Sequence, residues 1–80
     1  MNKLNEEQAN ILISNQLKKL RKSKGSSQDH FGAILGVSNQ QYSKFESGKN
    51  RISAGQLLLI AQEYNIDINM LYKDCDFESR

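Results

Sequence analysis

The side chains best suited to reading another molecule lie in one run, residues 38–44. Its polar members carry hydroxyls, amides and one ammonium group: Ser38, Asn39, Gln40, Ser43 and Lys44. Asn and Gln place a donor beside an acceptor, which matches the N6 and N7 edge of adenine in the major groove. Lysine can reach guanine or a phosphate. The run is therefore compatible with contacts to base edges of double-stranded DNA. The alternative is an ordinary solvated helix face.

The sequence contains few residues of the types that carry out catalysis. There is one histidine, His30, and one cysteine, Cys75. Neither belongs to a cluster with metal-ligand spacing, and they cannot supply a Ser/His/Asp or Cys/His set. We predict no catalytic residue, no metal and no cofactor, and we interpret Cys75 as a free thiol. An enzyme is the function class that the sequence favours least.

Two short helices joined by a tight turn must position the polar run. Phe31, Ile34 and Leu35 form an apolar stripe on the first helix, and Tyr42 and Phe45 form one on the second. Between them a glycine can take the left-handed conformation that ends the first helix. The following serine can cap the second helix. The polar residues of the second helix then lie opposite its buried stripe.

Residues 28–47 resemble the helix-turn-helix of phage repressors and Cro proteins, the lambda repressor-like or XRE-type family. Gln28 opens the motif, and glycines stand at its fifth and ninth positions, Gly32 and Gly36. Tyr42 and Phe45 are the large apolar residues at its fifteenth and eighteenth positions. The similarity extends over residues 17–72, so it is specific for the family although not for one member.

The resemblance implies an all-α fold, a compact bundle of five helices with a central helix-turn-helix. We expect residues 1–80 to form a single domain, with a core at about 9–72 and a polar tail at 73–80. In this family an arginine bridges to the glutamate that ends the second motif helix, which here pairs Arg21 with Glu46. The resemblance also assigns four residues to DNA phosphates: Gln28, Lys49, Asn50 and Arg51.

Local signals set the ends of the flanking helices. Residues 5–8 and 53–56 both have the spacing of a capping box. Helix 1 should run to about Lys24, with Gly25 ending it, and Asp67 should cap a fifth helix through Leu71. Gly32 and Tyr42 depart together from the family pattern, which prefers alanine and a β-branched residue. One hypothesis is that the missing methyl group of Gly32 admits the larger ring.

Charge is divided unevenly along the chain. Residues 14–51 carry eight Lys/Arg and two acidic residues, a net of +6, whereas residues 52–80 carry a net of −3. This asymmetry suits a polyanion bound by one face. No apolar run is long enough to span a bilayer, and the polar start is unlike a signal peptide. We expect a cytoplasmic, nucleoid-associated protein with no membrane partner and no small-molecule effector.

Two functions fit these features. The first is a sequence-specific transcriptional regulator, a repressor that binds a palindromic operator as a homodimer with its second motif helix in the major groove. The second is an antitoxin or anti-regulator whose main role is binding a partner protein, with DNA binding secondary. An early start of helix 1 and an apolar Leu59, where the family usually carries a polar residue, keep the second function open.

Overall fold

Four α-helices follow one another along the chain. The computed structural model describes residues 3–71, and its helices are α1 (Glu6–Ser23), α2 (Gln28–Leu35), α3 (Asn39–Glu46) and α4 (Ala54–Glu63). No strand occurs within those residues. The predicted all-α class is therefore confirmed. The predictions for the tail at 73–80 and for Cys75 lie outside the described residues, and the extent of the domain stays a prediction.

The fifth α-helix was predicted wrongly. Residues Ile68–Leu71 form only a four-residue 3-10 helix. The backbone N–H of Asn69 does donate to Oδ1 of Asp67, at 2.9 Å. That bond is an N-cap contact, as predicted for Asp67. The segment that it caps is only four residues long, which is typical of a 3-10 turn, so the described residues contain four α-helices.

Polar side chains cap the starts of the α-helices. Asn5 and Gln8 form a reciprocal capping box at α1, and Ser53 and Gln56 form another at α4. The hydroxyl of Ser27 accepts from the backbone N–H of His30, so Ser27 caps α2. These contacts satisfy N–H groups that have no partner inside a helix. After α4, Asn65 takes the left-handed conformation, with φ of 52°.

The core lies between the four α-helices, each of which contributes at least one buried side chain. Six side chains form its buried centre: Leu17, Phe31, Tyr42, Phe45, Leu57 and Ile60. The rings of Phe31 and Tyr42 meet edge to face, with centroids 5.6 Å apart, a favourable geometry for aromatic pairs. The apolar stripes predicted for the two motif helices thus meet in one cluster.

The side of α1 that faces the core is only partly apolar. Leu17 is fully buried, but Ala9, Ile13 and Leu20 are half-exposed, while Ser14 and Gln16 are buried. The hydroxyl of Ser14 donates to the backbone carbonyl of Asn10 at 2.9 Å. That bond lets a polar residue take a buried position without an unsatisfied group.

The atoms nearest to a methyl group at Gly32 belong to the backbone of the turn and not to the ring of Tyr42. A Cβ atom at Gly32 would lie 2.9 Å from the backbone carbonyl oxygen of Val37 and 3.3 Å from that of Ser38. The missing methyl group therefore makes room for the backbone of the turn between α2 and α3. The turn is drawn against α2 because the N–H of Val37 donates to the carbonyl of Gly32 at 2.9 Å.

The substitution Gly32→Ala should destabilise the protein although alanine is the better helix former. The new methyl group must displace the backbone, and overpacking of this kind costs about 1–3 kcal/mol, which exceeds a helix-propensity gain of up to about 1 kcal/mol. The matched control is Gly55→Ala in α4, where a new methyl group would have space, with Ser53 Oγ at 3.9 Å. In urea unfolding, Gly55→Ala should be more stable than the unchanged protein and Gly32→Ala less stable. Stabilisation by both substitutions would show that a methyl group at Gly32 meets no steric conflict.

Candidate nucleic-acid interface

The outer face of α3 is polar and free of core contacts. Asn39, Gln40 and Lys44 are exposed and Ser43 is half-exposed. Opposite them, Tyr42 and Phe45 are buried. The amphipathic spacing therefore turns every predicted base-contacting side chain of the helix body away from the core.

A shallow groove joins this face to residues outside α3. Its lining contains Gln28, Asn39, Gln40, Ser43, Lys44, Ser47 and Lys49. The structure thus brings two of the predicted phosphate contacts, Gln28 and Lys49, beside the predicted base contacts. Ser47 was missed by the sequence reasoning. Its place four residues after Ser43, one helical turn away, is the signal that could have found it.

Three predicted site residues do not line the groove. The hydroxyl oxygen of Ser38 accepts from the backbone N–H of Gln41 at 3.0 Å, so this residue caps α3. Asn50 and Arg51 lie exposed on the loop after Gly48. The guanidinium of Arg51 sits 3.1 Å from the carboxylate of Glu6, and both side chains are largely exposed. An exposed pair of this kind contributes little to stability.

Arg21 and Glu46 form an ion pair beneath the groove. Nε of Arg21 donates to Oε2 of Glu46 at 2.6 Å, and Nη2 donates to Oε1 at 3.0 Å. Nη1 of the same guanidinium donates to the backbone carbonyl of Ser26 at 3.0 Å. The amide Nε2 of Gln28 also donates to Oε1 of Glu46, at 3.2 Å. One carboxylate therefore connects α1, the start of α2 and the end of α3.

The surroundings of Glu46 favour its ionised form. Burial alone would raise the pKa of the carboxyl, but the guanidinium of Arg21 and the polar groups of Tyr42 and Gln28 outweigh it and lower that pKa. A group whose pKa is lower in the folded protein stabilises the fold fully above its ordinary pKa. This contribution is lost as the pH falls below 4.5 and through the lowered value.

The first turns of α1 contact the loop that follows α3. The side-chain Nδ2 of Asn10 donates to the backbone carbonyl of Gly48 at 3.2 Å. Ser14 Oγ and Ile11 Cγ1 would lie 3.8 and 3.9 Å from a Cβ atom at that glycine. The same loop is joined to α3, because the N–H groups of Lys49 and Asn50 both donate to the carbonyl of Lys44. The phosphate-assigned loop is thus held from two sides.

Comparison with known proteins identifies this arrangement. A sequence model of the helix-turn-helix family matches residues 17–71. The chain belongs to the helix-turn-helix family. A control protein from a Mycoplasma species, C.MunI, is 36% identical over 69 residues, which cover 85% of this chain and 93% of that protein. The family match begins after Gln16, so the opening turns of α1 lie outside it.

Other helix-turn-helix proteins are similar to this chain. An uncharacterised helix-turn-helix-type transcriptional regulator from Sinorhizobium medicae is 32% identical over 73 residues, 91% of this chain and 52% of that protein. The chain therefore spans about half the length of that relative. The crystal structure of the restriction-modification controller protein C.AhdI from Aeromonas hydrophila shares the fold, with a TM-score of 0.75 at 22% identity, covering 85% of this chain and 99% of the other.

Among residues 3–71, none of the helices is both long and apolar enough to cross a membrane. The same stretch contains no group of three His, Cys, Asp or Glu side chains that could hold a metal ion.

Removing one partner of the ion pair should destabilise the protein strongly, and removing the second partner as well should add little further loss. Arg21→Ala leaves the carboxylate of Glu46 buried without its main partner, and each single variant should lose about 3 kcal/mol of unfolding free energy. The double variant should lose clearly less than the sum of the two. Urea unfolding at pH 7 measures all four proteins; strictly additive losses would show that the two side chains are not energetically coupled.

Proposed function

We propose that the protein is a sequence-specific transcriptional regulator that binds double-stranded DNA. The observation that carries the proposal is the exposed polar face of α3, where the amides of Asn39 and Gln40 and the ammonium group of Lys44 face outward together. A short helix with amides and a cation on its free face suits the major groove. The local excess of positive charge in residues 14–51 suits the phosphate backbone.

The groove residues divide into two roles under this proposal. Asn39, Gln40, Ser43 and Lys44 read base edges, because they lie on the outermost part of α3. Gln28 and Lys49 hold phosphates at the edges of the same groove. Asn50 and Arg51 reach flanking phosphates from the loop, and Arg51 must leave Glu6 to do so. Ser38 positions α3 through its cap and contributes a base contact only at the first turn.

The protein binds its site as a homodimer in this proposal. One short helix reads only a few base pairs, too few to select a site in a genome. Two copies related by a twofold axis place their α3 helices in successive major grooves, about 34 Å apart. The operator is then palindromic. Binding there blocks transcription, which makes the protein a repressor.

The similarity to C.MunI supports a narrower form of the function. That relative is a control protein, and the match covers nearly all of it. C.AhdI, a restriction-modification controller, shares the fold. We therefore propose that the genes it regulates are restriction-modification genes.

The second candidate function is a module that binds a partner protein. It is supported by Leu58 and Leu59, which are 56% and 45% exposed on α4.

Alanine variants should separate base reading from phosphate binding. Gln40→Ala removes a base contact, so it should weaken binding to the operator about 5- to 100-fold and change binding to random DNA much less. Lys49→Ala should weaken both DNAs alike and lower the slope of log affinity against log salt by about one unit. Fluorescence anisotropy on both duplexes at several salt concentrations measures these effects.

Gln41→Ala is the control variant, because Gln41 is an exposed amide of α3 that does not line the groove. It should bind both duplexes as the unchanged protein does. Equal losses for Gln40→Ala and Lys49→Ala on both DNAs would show that the face of α3 is an ordinary solvated surface.

Two chains should occupy each operator. Footprinting across the DNA that flanks the protein's own gene should reveal a protected palindrome, since small regulators of this family often control themselves. Sedimentation of the complex on that duplex should give two chains per DNA. A duplex with one half-site scrambled serves as the control and should bind far more weakly. One chain per DNA on the intact operator would contradict the dimer, and a stoichiometric co-purifying protein would favour the partner-binding candidate.

A further inference from the structure

An exposed ion pair joins Arg51, on the loop after α3, to the first residue of α1. Nη1 of Arg51 lies 3.1 Å from Oε1 of Glu6, and the two side chains are 57% and 81% exposed. A pair this open to solvent contributes little to the stability of the fold. Its guanidinium is also a cation that a second anion can reach from solvent.

The backbone on both sides of this ion pair is held in place. Glu6 is the first residue of α1, whose start is fixed by a reciprocal capping box. Three residues before Arg51, the carbonyl of Gly48 accepts from Nδ2 of Asn10 in α1 at 3.2 Å. The residue after Arg51, Ile52, packs against the core. The fold therefore keeps the backbone of Arg51 near Glu6, and only rotation of the side chain can take the guanidinium away from the carboxylate.

A DNA phosphate and Glu6 compete for this guanidinium if the protein binds DNA. The guanidinium has enough N–H groups to contact two partners. A phosphate that bound beside the carboxylate would, however, bring two anions together, and their repulsion would oppose binding. Arg51 must therefore give up Glu6 before it contributes fully to the complex, and breaking the pair weakens the net binding.

We propose that Glu6 lowers the affinity for DNA by withholding Arg51. Glu6 acts through Arg51 and does not itself contact DNA. Because phosphate contacts carry no sequence information, the effect applies to operator and random DNA alike. Glu6 lies before residues 17–71, which the family model matches, so the effect comes from the opening turn of α1 and not from the shared helix-turn-helix. This inference rests on the DNA-binding function proposed above.

Two charge-matched variants test the proposal. Glu6→Gln removes the partner of Arg51, whereas Glu7→Gln removes the neighbouring exposed carboxylate of the same turn, which forms no ion pair within residues 3–71. Both variants change the net charge equally, so a general electrostatic effect is common to them. At about 50 mM salt, where screening is weak, Glu6→Gln should bind both duplexes about two- to fivefold more tightly than Glu7→Gln does. Fluorescence anisotropy measures the difference.

The salt dependence of binding gives a second signature, which a purely structural role of Glu6 would not produce. In the unchanged protein Arg51 exchanges one anion for another, whereas in Glu6→Gln it gains a phosphate and loses no partner. The slope of log affinity against log salt should therefore be steeper for Glu6→Gln than for Glu7→Gln, by up to about one unit. Equal affinities and equal slopes for the two variants would overturn the proposal.

Removing Arg51 tests whether Glu6 acts through that residue. In the Arg51→Gln background, Glu6→Gln and Glu7→Gln should bind DNA equally well, because no guanidinium is left to withhold. A tighter binding of Glu6→Gln that persists in this background would mean that the carboxylate repels phosphates directly, and the proposal would be wrong. All three side chains are exposed, so each variant should stay folded.

Failure of the proposed function is a separate outcome. If the unsubstituted protein binds neither duplex at about 50 mM salt, where electrostatic binding is strong, the DNA-binding function is refuted. Heparin, a sulfated polyanion, then replaces DNA as the probe. Glu6→Gln should elute from a heparin column at higher salt than Glu7→Gln if Glu6 withholds Arg51 from anions. Elution of both variants at the same salt would refute the withholding itself.

Discussion

The bond between the guanidinium of Arg21 and the carboxylate of Glu46 is the contact on which the rest of the site depends. It joins the last part of α1 to the last residue of α3 across 25 positions of sequence. Glu46 is 4% exposed, and a buried carboxylate is tolerated only when its oxygens are paired. The pair therefore fixes where α3 ends relative to α1, and with it the direction in which the polar face of α3 points.

Local physics accounts for the parts of the fold that the sequence predicted well. Helix starts follow from caps at Asn5, Ser27, Ser38 and Ser53, which act within three residues of themselves. The burial of Tyr42 and Phe45 follows from spacing alone, and the exposure of Asn39 and Gln40 follows as its complement. The pairing of Arg21 with Glu46 is different, because only the family resemblance brought two residues so far apart in sequence together.

The features that could not be predicted from the sequence mostly depend on contacts between distant segments. Nothing in the spacing around Gly32 indicates that the carbonyl of Val37 approaches it at 2.9 Å. Ser14 is buried and lies near Gly48, 34 positions away in the sequence, which no local pattern indicates. The predicted fifth α-helix is only a four-residue 3-10 helix, although Asp67 caps its start as predicted. The groove itself is a product of tertiary packing, so its full lining could not be read from α3 alone.

The hydrogen bond from Asn10 to the carbonyl of Gly48 has a consequence for the entropy of binding. A loop that is free in solution must lose conformational freedom when it grips a phosphate, and that loss weakens the complex. Here Asn10 of α1 holds Gly48 at the start of the loop, and the carbonyl of Lys44 holds the next two residues, Lys49 and Asn50. The loop is preorganised by folding itself. Under the proposed function this preorganisation lowers the entropic cost of binding DNA, and it comes from Asn10, which lies before the residues that the family model matches.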